Sequence, residues 1–171
     1  MKFYKNLADP VHQDLYRYWN SKRQGTALPA RRDIDPVEIP HLLPHILMLD
    51  VTDAPGFRYR LVGTAVVNGV GRDPTGLTFG NSLPADYAAA LTTLYERVRD
   101  AGVPGFAVSE FHEEKGPERF CTRLILPLAS DGKTVDKIIA TSLIDQRYIR
   151  HSVLGLEDRL GTHRAHLVLD E

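Results

Sequence analysis

The sequence predicts an α+β fold of five strands, a set of short helical turns and one long helix, all preceded by a separate N-terminal helix. Three observations carry this. Apolar residues recur at helical spacing between Pro84 and Ala101. The pair Asp131-Gly132 stands between two apolar strand-like runs and is a strong tight-turn signal. The run His45 to Val51 is apolar on both sides of the strand alternation, as expected of a strand covered on both faces.

The elements follow in order. Asp9-Pro10 combines a capping side chain with a proline at the first helical position. Val11, Leu15 and Trp19 then share one helical face, with Tyr18 beside them, and Gly25 ends the helix. Residues 26 to 34 form an extended connector. Asp35-Pro36-Val37-Glu38 is a second helix start, with Glu38 at the reciprocal capping-box position. Pro40 and Pro44 limit it to one or two turns carrying Ile39, Leu42 and Leu43. The buried strand follows, and then the turn cluster Asp53-Ala54-Pro55-Gly56. Phe57, Tyr59 and Leu61 alternate with Arg58 and Arg60 as a half-exposed strand.

Residues 64 to 80 are rich in glycine and fit small helical turns. The long helix begins at Pro84, with Tyr87, Leu91, Leu94, Val98 and Ala101 on its inner face. Arg97 and Arg99 suit the dipole of its last turn, and Gly102 supplies a left-handed stop. Three strands complete the order, near 105 to 114, 118 to 129 and 134 to 145. A two-residue turn at Asp131-Gly132 pairs Leu128 with Val135, Leu126 with Lys137, Leu124 with Ile139, Thr122 with Thr141 and Phe120 with Leu143. That face is largely apolar and is expected to lie under the long helix. The opposite face holds Ile125 with Ile138, Arg123 with Ala140, and Cys121 with Ser142, and the Trp19 helix is its expected cover. The tail ends in Leu167-Val168-Leu169, for which a helix and a mobile arm are both open.

Composition narrows the function. The 171 residues are 43% apolar and 25% charged, with a formal net charge of -1, so there is no general electrostatic case for nucleic acid or an anionic membrane. The single cysteine, Cys121, excludes an internal disulfide. The N-terminus has no signal-peptide pattern and no apolar run is long enough to span a bilayer, so a cytoplasmic location is expected.

Residues Asp35 to Ile46, followed by Phe57-Arg58-Tyr59-Arg60-Leu61-Val62-Gly63-Thr64 and by Gly71-Arg72-Asp73-Pro74-Thr75-Gly76, resemble the bacterial PAS-like (PAS_5-type) family of small single-domain proteins. The likeness covers roughly residues 10 to 146. It implies a five-stranded antiparallel sheet in the order 2-1-5-4-3 with helices on one face. The chain then divides into an N-terminal helix and connector (1–34), a PAS-like domain (35–150) and a C-terminal tail (151–171).

The resemblance also implies a ligand cavity between the long helix and the sheet. Its expected lining is Tyr59, Leu61, Tyr87, Leu91, Leu94, Thr122, Leu124 and Thr141, with the threonine hydroxyls orienting a small apolar ligand. A cross-strand threonine contact in a filled core is the alternative. Leu15, Trp19, Ile125 and Ile138 are the expected interface residues for a homodimer or a signalling partner. No cofactor is expected. The flavin-adduct subgroup needs a cysteine after its Gly-Arg-Asn sequence, and here Pro74 follows Gly71-Arg72-Asp73. The haem subgroup uses a histidine on the long helix, and residues 86 to 100 contain none; His41 and His45 are separated by Pro44. His163 and His166 could share a helix face, but two histidines make a weak metal site.

No catalytic residue is assigned. Ser109, Glu110, His112, Glu113 and Glu114 alternate along one strand and cannot assemble a triad by themselves, and Cys121 reads as an inert sheet residue. The expectation is a sensory or regulatory module without catalysis. With no attached output domain in the sequence, it would act through another protein. A small cone-shaped α+β enzyme of the isomerase or dehydratase kind, or a purely structural interaction domain, are the alternatives.

Overall fold

The computed structural model describes residues 3–25, 27–53, 56–111, 119–145, 159–160 and 163–170. Helix α1 (Pro10–Ser21) starts as expected: the Asp9 carboxylate accepts from the Val11 amide at 2.8 Å, and Pro10 occupies the first turn. It stops at Ser21, ahead of Gly25. Asp35 likewise accepts from the Val37 amide at 2.9 Å above a 3-10 turn, Pro36–Glu38. The capping box does not form. Glu38 instead takes the Tyr18 hydroxyl at 2.7 Å and the Lys22 ammonium at 2.5 Å, tying this turn to the end of α1.

Strands β1 (Ile46–Val51) and β2 (Phe57–Val62) lead into two short helices, α2 (Thr64–Val70) and α3 (Phe79–Ser82), and then the long helix α4 (Ala85–Ala101). Gly102, at φ 63°, ends α4 in the left-handed conformation. Strands β3 (Gly105–Phe111), β4 (Arg119–Leu128) and β5 (Lys137–Asp145) complete the expected five, antiparallel in the order β2-β1-β5-β4-β3. The first strand is interior, as its two-sided apolar pattern requires: Ile46 and Met48 enter one core, Leu47 and Leu49 the other.

The sheet continues beyond five. The tail supplies β7 (His163–Leu169), which pairs antiparallel with β3, and a short β6 (Arg159–Leu160) beside it. His163 and His166 therefore lie on a strand, and the helix face that would have joined them does not exist.

Two corrections concern the central hairpin. The ladder begins at Leu128 opposite Lys137, so Leu126 meets Ile139, Leu124 meets Thr141 and Thr122 meets Leu143. The register is two residues away from that of a two-residue turn. The cause is local: the Asp131 carboxylate accepts from the amides of Lys133 and Thr134 at 2.8 and 2.7 Å, which opens a wider loop. Ala129 and Gly132 also bond the connector at Pro29 and Leu28. A shift of two keeps each side chain on its face.

The second correction is which helix covers which face. Leu124, Leu126, Leu128 and Ile139 pack with Leu15, Trp19, Ile34 and Leu42 beneath α1 and the connector. Ile125, Ile138 and Ala140 pack with Leu91, Leu94, Tyr95 and Val98 beneath α4. Helix α4 thus lies over the less apolar surface. Its buried stripe contains Ala88 and Tyr95, while Ala101 is exposed.

One glycine is fixed by close approach. Gly63, between β2 and α2, donates to the Ile46 carbonyl at 2.7 Å, and a Cβ there would stand 2.3 Å from the Pro44 carbonyl oxygen. Because that obstacle is backbone, Gly63→Ala is expected to cost about 2 kcal/mol. Urea unfolding checks this; a loss below a few tenths would mean the β2–α2 junction moves aside freely.

Candidate functional site

The helices α2, α3 and α4 do not close fully on the sheet. Between them lies a partly enclosed cavity of about 430 Å³. Leu47, Val62, Val66 and Leu91 make its apolar wall. Phe57, Tyr59, Phe79 and Tyr95 form an aromatic cluster with ring centroids 5.0 to 5.6 Å apart, and Tyr59 and Tyr95 also line the cavity. Alternation along β4 and β5 points Cys121, Arg123 and Ser142 into it, and Arg72 and Pro74 line it from the segment after α2.

Arg123 dominates the polar chemistry. It is buried at 6% exposure in the middle of β4. It donates to the Ser109 Oγ at 2.8 Å and to the Tyr87 hydroxyl, and the guanidinium stands 5.9 Å from the Tyr87 ring centre. Burial by itself would weaken its hold on the proton. Cys121, Tyr87, Tyr95 and Tyr59 act in the opposite sense, and the net effect holds it charged above the ordinary arginine value. Burial pushes the Tyr59 phenol up to about 12, and it raises Tyr87 and Tyr95 as well. The Cys121 Sγ lies 3.1 Å from the Ser142 Oγ.

Of the eight residues expected to line the cavity, Tyr59, Tyr87 and Leu91 do so. Leu94, on α4, is packed into the core between that helix and the sheet. Thr122, Leu124 and Thr141 lie on the opposite face of the sheet. Leu61 is displaced by a β-bulge: Met48 pairs with Leu61 but Leu49 pairs with Tyr59, so Arg60 is the extra residue. Leu61 consequently borders a second cavity of about 400 Å³, with Ile34, Ile39, Met48 and Ile139.

The four expected interface residues are interior. Leu15 and Trp19 are fully buried on the sheet-facing side of α1, and Ile125 and Ile138 on the sheet beneath α4. None is available to a partner in this conformation, because each is already covered in the contact between the sheet and one of its helices.

The expected threonine pair has another use. The buried His12 ring lies between them, Nδ1 at 2.7 Å from the Thr141 Oγ1 and Nε2 at 2.9 Å from the Thr122 Oγ1. A neutral imidazole suits two hydroxyls, each able to donate or accept. Burial lowers the His12 pKa to about 4; Asp9 opposes this and His45 adds to it. The signal for His12 was in the sequence: it precedes Leu15 by three residues and Trp19 by seven, on the same helical face. Arg123 was also legible, as the one charged residue in the stretch from Cys121 to Leu128, where only Thr122 is otherwise polar.

Ser109 is buried and engaged by Arg123, while His112, Glu113 and Glu114 lie outside the described residues. His41 stands 3.4 Å from the Asp14 carboxylate at the surface. Among the described residues no group of three His, Cys, Asp or Glu side chains could hold a metal ion, and no helix is long and apolar enough to cross a membrane.

The pattern of a known family, described as PAS domain (PAS_5), matches residues 7–142. Among solved structures, the chain is similar to VqmA from Vibrio cholera, in a crystal structure of a VqmA–ligand–DNA complex. Sequence identity is 16% and the TM-score 0.50, over 65% of this chain and 51% of that one, so the chain spans about half of VqmA. No curated protein sequence matches the chain.

Proposed function

We propose, since this chain belongs to the PAS_5 family of PAS domains, that it is a sensory module that holds a small molecule between α4 and the sheet and passes its presence to a signalling protein. The observation that carries this is the cavity. Its 430 Å³ falls within the roughly 300 to 1,000 Å³ usual for small-molecule sites. Apolar walls with a few convergent polar groups are also the usual make-up of such sites.

The titratable groups on the wall favour binding over acid–base chemistry. Arg123 is held charged, and the three tyrosines are held protonated well above neutral pH. The VqmA structure of similar fold contains a ligand, which favours the same use of the fold here. Its DNA is not carried over, because this chain has a net charge of -1. The same reading places the module in the bacterial cytoplasm, with α1 on the opposite face of the sheet as the element a partner reads.

Native mass spectrometry of protein purified from its host tests the reading. A stoichiometric bound mass is expected, and it should be lost in Val66→Phe, which puts a ring into the space the ligand would occupy. A mass retained by a folded Val66→Phe protein places the ligand elsewhere. Host-purified protein with no bound mass, together with no thermal shift across a metabolite set, would overturn the sensory reading.

A further inference from the structure

Arg123 is buried, yet its two hydrogen bonds go to neutral hydroxyls, and among the described residues no carboxylate pairs with it. A guanidinium remains charged at any physiological pH. Removing such a charge from water without an opposite charge costs several kcal/mol, and an apolar side chain of similar volume would fill the place more stably. The packing around it gives no structural need for a cation. Ile125 and Ala140, close by in the same sheet face, are apolar and fully buried. The charge faces the cavity, and Arg72 adds a second, exposed cation to the lining.

We propose that the cavity takes a small organic acid, whose carboxylate is held by Arg123 and whose apolar body lies against Leu47, Val66 and Leu91. This rests on the sensory reading above and deepens it. The planar guanidinium matches the two oxygens of a carboxylate, which would supply the missing countercharge. A monoanion fits better than a phosphate. Arg123, buried, balances one charge, whereas Arg72 on the same lining is exposed and its charge is screened by water, so a phosphate dianion seated at Arg123 would leave its second charge against the apolar wall. Ser142 and Cys121, beside Arg123 on the sheet, line the same cavity and offer a hydroxyl and a thiol near the carboxylate.

The test compares acids with their uncharged twins on the full chain. Phenylacetate, indole-3-acetate and 4-methylpentanoate are titrated by calorimetry beside the corresponding primary amides and phenyl phosphate. At least one acid is expected to bind ten times or more tightly than its amide and than phenyl phosphate. Arg123→Met should erase that preference while melting no lower than the parent, since an unpaired buried charge is removed. Arg123→Lys, which keeps the charge without the fork, should retain part of it.

Each other outcome counts against the proposal. Amides that bind as tightly as acids remove the anion and leave the cavity reading standing. A preference for phenyl phosphate replaces the carboxylate. A folded protein that binds no probe of any kind overturns this proposal and speaks against the pocket itself. An Arg123→Met protein that melts several degrees lower but keeps the acid preference makes Arg123 a structural residue.

Discussion

Trp19→Ala is expected to lose about 4 kcal/mol of folding stability, within the range for emptying a buried aromatic site. The ring is fully buried, and its Nε1 donates to the Pro127 carbonyl at 2.9 Å, joining α1 to the end of β4. Truncation therefore leaves both a void and an unpaired buried carbonyl. With a urea m-value of about 2 kcal/mol/M, the midpoint should fall by about 2 M. Trp19→Phe, which keeps most of the apolar volume but loses the donor, should fall between. Trp19 is the chain's one tryptophan, so circular dichroism is the common probe for all three proteins. A midpoint that moves by less than 0.5 M would contradict the packing of α1 described above.

The second large effect is on pH. His12 has a pKa lowered to about 4 from the ordinary 6.5, chiefly by burial. Between these values the unfolded chain binds a proton that the folded one refuses. Stability is therefore full above pH 6.5 and falls as the pH drops towards 4, by roughly 3 kcal/mol in all. That is a large share of a typical 5 to 15 kcal/mol. His12→Gln, which has no group titrating in this window, should flatten the profile between pH 4.5 and 6.5. The ring resonances of His12 in the parent should titrate near pH 4; titration near 6.5 would show the ring to be solvated rather than clamped between Thr122 and Thr141.

Local signals in the sequence are legible where one residue type performs one physical task. Asp9 and Asp35 cap, Gly102 stops α4, and the two-sided apolar run puts β1 inside the sheet. The pairing of helices with sheet faces is not written locally. Both faces of β4 and β5 are apolar enough to be buried, and hydrophobicity alone does not say which helix covers which. The more apolar face went to α1 and the connector. The face carrying Arg123, Cys121 and Ser142 went to α4, where its polar groups line the cavity. Four expected site residues were misplaced by this and by the bulge: Thr122, Leu124 and Thr141 by the exchange of faces, and Leu61 by the extra residue Arg60. The tail was illegible for another reason. Leu167 becomes buried only by pairing with Ala107, which lies 60 positions away, and no local pattern records that.

Residues 122 and 123 are consecutive on β4, and residues 141 and 142 on β5. One member of each pair looks into the cavity and the other holds the imidazole of α1. The wall of one compartment is the floor of the next, only a single peptide layer thick. A ligand that pulled on Arg123 would act on Thr122 as well, since the two are neighbours on one strand. On the sensory reading proposed above, a signal from the cavity would reach α1 through the sheet itself, in the way a pressed coin shows on its reverse.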